Sequence, residues 1–306
     1  MVGTRTALFG RQRPGGILAI EDLAGGAGDR FFVDSATGTD VAGAGDSPDN
    51  AYATLDFAVG QAVANNGDRI LLVEGHTETL IADSGVDIDV AGLTIIGLGK
   101  GADRPTFTFT TDVAADFKLA AAGTHVENLV FIAGIDALTG PVEISAADCS
   151  LVNCEGRDDS VGNFETTDFV VLTTACNRCL IDGFKFISDG GAGGTQMQSV
   201  INMKSADETE IRNCHIVCDG ALGCIEDETA SAQVYIHDNA LESTNANDVC
   251  ITLAATSSGE ISFNRCKIAT DAQATWISSA NDCGLFENYG VNVDGETGVL
   301  IGTASV

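Results

Sequence analysis

Basic residues are scarce in this chain of 306: five lysines and ten arginines stand against 29 aspartates and 15 glutamates, for a formal charge of −29. A surface that acidic repels phosphate backbones, which excludes nucleic-acid binding by the body of the protein. Aspartate excess with little lysine suits a surface kept hydrated in a saline host or medium, and aspartate also suits tight corners between strands; both readings stand. Aromatic platforms are few as well. With one tryptophan and three tyrosines, a sugar-binding groove would have to lean on Trp276, Tyr235 or Tyr289. No apolar run approaches the roughly 18 residues of a membrane span, and no basic, apolar, small-residue leader opens the chain. Neither a membrane partner nor a secretory signal is expected. A recurring leucine-rich frame and amphipathic runs of helical length are both missing after residue 70.

What is present is self-similarity. Seven segments repeat one pattern, among them Leu151-Val152-Asn153-Cys154, Ile211-Arg212-Asn213-Cys214-His215-Ile216 and Phe263-Asn264-Arg265-Cys266-Lys267-Ile268. Aligned on Leu129, Cys154, Phe184, Cys214, Asn239, Cys266 and Tyr289, they recur every 23 to 30 residues. A period in that range marks a stacked array whose units bury their apolar side against their neighbours. Apolar and polar residues alternate within each segment, which is strand spacing. A second apolar run lies upstream in most units, as in Val142-Glu143-Ile144, Val170-Val171-Leu172 and Val200-Ile201-Asn202-Met203. Clusters such as Ser188-Asp189-Gly190-Gly191 supply the corners. The architecture that survives is all-β: a parallel β-helix with two or three strands per coil, running over 70–306 in roughly nine coils.

Ahead of it, residues 1–28 are glycine-rich, carry Arg5, Arg11 and Arg13, and read as an extended N-terminal arm. Residues 29–69 form a cap module. There Leu55, Ala58, Val59, Ala62 and Val63 fall at helical spacing behind Thr54, which predicts a capping helix of two to three turns over the first coil. The chain closes on Val299-Leu300-Ile301, an apolar strand with no cap after it. A partner subunit or another copy of this chain is expected to cover that end.

All ten cysteines lie between Cys149 and Cys283. Cys154, Cys214 and Cys266 are expected to share one inward column, and Cys149 and Cys179 another, as buried free thiols stacked about 4.8 Å apart. Cys176-Asn177-Arg178-Cys179 has ligand spacing, yet a second pair is missing and the Cys214, His215 and Cys218 group lies a coil away. No metal and no cofactor are expected.

Catalysis on such a scaffold needs carboxylates from successive coils converging on one groove. The candidates are Asp158 and Asp159 with Arg157, then Glu226, Asp227 and Glu228, then Asp182 with Lys185. None forms a recognisable catalytic set, and acid pairs are expected by chance among 44 acids. His76, His125, His215 and His237 fall in different coils, and His76 is expected to hold a turn by hydrogen bonding. No catalytic residue is assigned.

Phe31-Phe32-Val33-Asp34-Ser35, Gly38-Thr39-Asp40, Tyr52-Ala53-Thr54-Leu55-Asp56, Gly67-Asp68 and Gly75-His76-Thr77-Glu78-Thr79 resemble the opening module of right-handed parallel β-helix proteins of the pectate-lyase-like superfamily. Within it the resemblance is to virion structural proteins of tailed viruses. It covers residues 31–80 by motif and the rest by repeat character. It implies a non-enzymatic capsid decoration, spike or fibre component, located in the virion and assembled as a homotrimer. Arg5, Arg11 and Arg13 would anchor it to a capsid or other virion protein, and a host glycan is a further expected contact. The alternative on the same module is a tailspike-like polysaccharide depolymerase or lyase, which would show carboxylates from three adjacent coils lining one groove.

Overall fold

The computed structural model describes residues 28–158, 166–188, 197–247, 249–269, 276–278, 282–291 and 297–300. Alternating apolar residues stack coil upon coil. In the first sheet Ile70, Ile95, Val126, Leu151, Ile181, Ile211, Ile236 and Ile261 are successive register partners and are fully buried. In the second sheet Val86, Phe117, Val142, Val170, Ile201, Ile225 and Ile251 form the facing line. The third sheet contributes Phe107, Phe131, Phe186, Ile216 and Leu241. The result is a parallel β-solenoid of about eight turns, with sheets of ten, eight and ten strands. Each buried large side chain of this kind contributes about 1.5–3 kcal/mol.

The upstream apolar runs of the sequence all fall in the second sheet, for example in Leu138–Ile144, Thr166–Leu172 and Ser199–Lys204. Each repeated segment holds two strands, one in the first sheet and one in the third, as with Glu210–Arg212 and His215–Cys218. The corner between them sets the register. Asn128, Asn153, Gly183, Asn213, Asp238, Phe263 and Glu287 occupy it in seven successive coils, all with φ between 46° and 71°. Asn, Asp and Gly tolerate this left-handed backbone; Phe and Glu do so at a cost.

That corner corrects the cysteine column. The residue after it is inward in every coil: Leu129, Cys154, Phe184, Cys214, Asn239, Asn264 and Asn288. Cys154 and Cys214 therefore share one line. Cys266 is also buried, but it lies in register with Leu241 on the third sheet, two residues further on, and Tyr289 is displaced by one. The corner residue is what repeats, and matching cysteine to cysteine slips past it. Cys149 and Cys179 do stack, each one residue before paired strands. All ten thiols are free, nine of them buried; burial pushes the Cys154 and Cys214 thiols up to about 12.

Where the cysteines end, an asparagine ladder begins. Asn239 Nδ2 donates to Asn264 Oδ1 at 2.9 Å, and Asn264 Nδ2 donates to Asn288 Oδ1 at 3.0 Å. The same oxygens accept the backbone amides of Asn239 and Asn264, both at 3.1 Å. Each remaining amide hydrogen goes to a carbonyl of the preceding coil, Ile211, Ile236 or Ile261.

The helix is shorter than its spacing predicts. It spans Leu55–Val59, starts on Thr54, whose hydroxyl accepts from Phe57 N, and closes at Gly60. Leu55, Ala58 and Val59 are buried, while Val63 lies beyond the helix and is 60% exposed. The helix packs on Arg30–Val33, Arg69–Leu72 and Val86–Ile88, and Arg30–Val33 is itself the first strand of the first sheet. At the other end Thr297–Leu300 adds no further rung. It folds back antiparallel along Asn288–Val291 and so covers the edge of the third sheet, in place of the open strand expected there. Among the described residues no helix is long and apolar enough to cross a membrane.

Candidate functional site

Strand alternation separates the acids of Glu226-Asp227-Glu228. Asp227 points inward, where it accepts from the Ser231 amide at 2.9 Å and the Ser231 hydroxyl at 2.8 Å, and also from the Ser257 hydroxyl. Burial raises its carboxyl pKa against those three donors. It supports a corner of the core.

Glu226 points outward and stands in register beside Asn202, and Asp168 stands in register beside Ser199. Three neighbouring coils meet here. Ser199 Oγ donates to Asp168 Oδ1 at 2.9 Å, and Asn202 Nδ2 lies 3.2 Å from both Asp168 Oδ2 and Glu228 Oε2. Lys204 Nζ pairs with Glu228 Oε2 at 3.1 Å and holds the Glu228 carboxyl below its usual range. Asp168, Ser199, Asn202 and Glu226 are each less than a tenth exposed. Burial, then the charges of Asp168 and Glu228, push the Glu226 carboxyl up to about 7. Glu226 Oε2 and Asn202 Oδ1 are buried with no hydrogen-bond partner. A carboxyl in that setting exchanges a proton near neutral pH.

The other carboxylates read from sequence do not converge. Arg157 turns to Glu155 at 2.8 Å, Asp158 lies beside Ala133 on the third sheet, and Asp159 is outside the described residues. Asp182 is on the first sheet and binds Arg212, whereas Lys185 is on the third and reaches Glu155 at 3.4 Å. Cys176 and Cys179 turn inward onto the Ile144 and Ala146 carbonyls, while His215 is exposed. Among the described residues no group of three or more His, Cys, Asp or Glu is placed to hold a metal. Trp276 is 4% exposed and covers Gly290, where a Cβ would meet its ring, so it is core and no sugar platform. Tyr235 and Tyr289 are about half-exposed on different sheets. Arg5, Arg11 and Arg13 lie outside the described residues. Asp168 and Asn202 escaped sequence reading; their one signal was a polar residue at the edge of, or inside, an apolar run, as in Val200-Ile201-Asn202-Met203.

No family model matches the chain, and no curated protein matches it. Among solved structures, a rhamnogalacturonan lyase is similar over 90% of both chains, at 11% identity and a TM-score of 0.47. A likeness of that depth carries neither substrate nor activity to this chain.

Proposed function

We propose that this protein is a non-enzymatic structural component of a tailed-virus particle, a capsid decoration, spike or fibre element. The solenoid is the rigid post, and the arm bearing Arg5, Arg11 and Arg13 is the anchor to a capsid or other virion protein. The opening-module resemblance supports the virion setting. The observation that carries the structural role is the enclosure of the second-sheet carboxylates: Asp168 is taken up by Ser199 and Asn202, and Glu228 by Lys204. Buried groups that satisfy one another stiffen a scaffold and leave little for a substrate to bind. Trimeric assembly belongs to the same reading. The test is location: antibody labelling and mass spectrometry of purified particles should find the full chain on them. Deleting residues 1–28 should leave a folded body absent from particles, and retention of the truncated chain would refute the anchor.

A second reading, a polysaccharide-cleaving enzyme, draws on the meeting of Asp168 and Glu226 around Asn202, with Glu226 titrating near 7. Release of reducing ends or unsaturated sugars from host polysaccharide, abolished by Glu226→Gln, would favour it over the structural role.

A further inference from the structure

The outer face of the third sheet reverses the charge of the molecule. Glu155, Lys185, His215, Ala240, Arg265 and Tyr289 follow one another in register along it. Arg157, Glu242 and Lys267 stand on the same face. Four lysines and arginines thus face two carboxylates, in a chain of net charge −29. Both carboxylates are already engaged: Glu155 by Arg104, Arg157 and Lys185, and Glu242 by Lys267. Arg265 is exposed and has no side-chain partner among the described residues.

Arg265 borders a groove of about 200 Å³, lined also by His215, Ala240, Glu242, Lys267 and Val291. The small side chain of Ala240 opens it on one side, and on the other the next residue in register is Tyr289, 48% exposed. A free planar guanidinium matches a carboxylate two bonds at a time. An exposed phenol ring about one 4.8 Å rung away offers an apolar platform with a polar rim. The net charge restricts the ligand further. A long polyanion is repelled by the whole molecule, whereas a single negative group within about 8 Å of Arg265 feels the local cations at physiological salt.

We propose that this groove binds one carboxylate-bearing sugar residue, its carboxylate on Arg265 and its ring face on Tyr289. The site is on a different sheet from the Glu226 cluster, and it does not depend on where the chain resides in a particle.

The test is ligand-observed NMR titration of the full chain with glucuronate, glucose, acetate and a short Asp-containing peptide. Glucuronate should bind with Kd on the order of 1 mM, with glucose and acetate each about tenfold weaker. Arg265→Ala should weaken glucuronate about tenfold and Arg265→Lys less, since a lysine keeps the charge without the fork. Tyr289→Ala should weaken it severalfold, and all three variants should unfold at the wild-type temperature. Equal binding of glucose, or glucuronate binding untouched by Arg265→Ala, would overturn the proposal. Acetate binding as well as glucuronate would reduce the site to an anion contact and overturn the sugar assignment. A peptide that binds more tightly than glucuronate would overturn it in favour of a protein partner.

Discussion

His76 donates from Nε2 to Glu78 Oε1 at 2.8 Å, and the same carboxylate oxygen accepts the Leu55 amide at 2.7 Å. The opposite ring nitrogen, Nδ1, accepts the Ser35 amide at 3.0 Å, which fixes the proton on Nε2. One buried imidazole therefore ties the loop after the first strand to the helix N-terminus through the third sheet, which is the turn-holding role its sequence setting suggested. His76→Ala leaves the Ser35 amide and the Glu78 carboxylate short of a partner, at about 1–3 kcal/mol each. The expected result is an earlier urea transition, with hydrogen exchange rising first over 29–59; an unchanged midpoint would contradict the tie.

Asn264 is the middle rung of the asparagine ladder, accepting two hydrogen bonds and donating two. Asn264→Ala should cost about 2–4 kcal/mol, because buried groups on both neighbouring coils lose partners together. Denaturant unfolding measures this directly. A loss below about 0.5 kcal/mol would mean that water replaces the amide at this site.

Phe263 occupies the corner with φ 56° and is 49% exposed. The strain comes with little burial to offset it, so Phe263→Asn should stabilise the protein by about 0.5–1 kcal/mol. Differential scanning calorimetry should show a higher Tm. A lower one would show that the ring packs on a partner surface or neighbouring loop.

Glu226, pushed up to about 7, gives a pH dependence with a definite sign. Its folded pKa lies above its unfolded value of roughly 4.3, so the folded state binds this proton more tightly. The contribution is complete below about pH 4 and fades as pH rises through 7. Wild type should therefore lose up to about 2–3 kcal/mol between pH 5 and 8 from this group. Glu226→Gln should flatten that slope and be the more stable form at pH 8. Parallel stability-versus-pH curves for the two proteins would rule out Glu226 as the source. Asp116, pushed by burial to about 6, adds a smaller slope of the same sign in both proteins.

The solenoid was legible because its core is written in strand alternation: Val142, Val170 and Ile201 announce their rungs and then stack as register partners. The register was legible only in part. Cys266 resembles Cys214 in its local string, yet backbone conformation at Asn213 and Phe263 decides the alignment, and a phenylalanine does not advertise a left-handed φ. The polar cluster was legible at Glu226 and Glu228 and silent at Asp168 and Asn202. Their contacts are made by stacking between coils, over separations such as the 34 residues between Asp168 and Asn202. No local spacing rule reaches that far.

The reversal of Thr297–Leu300 against Asn288–Val291 bears on how molecules could meet end to end. A second solenoid docking there would find parallel edges in two sheets and, in the third, a strand running the wrong way with a different hydrogen-bond spacing. Continuous cross-β growth needs all the edges to agree. One backward strand breaks that agreement, so copies concentrated on a common surface stay discrete instead of polymerising into fibres.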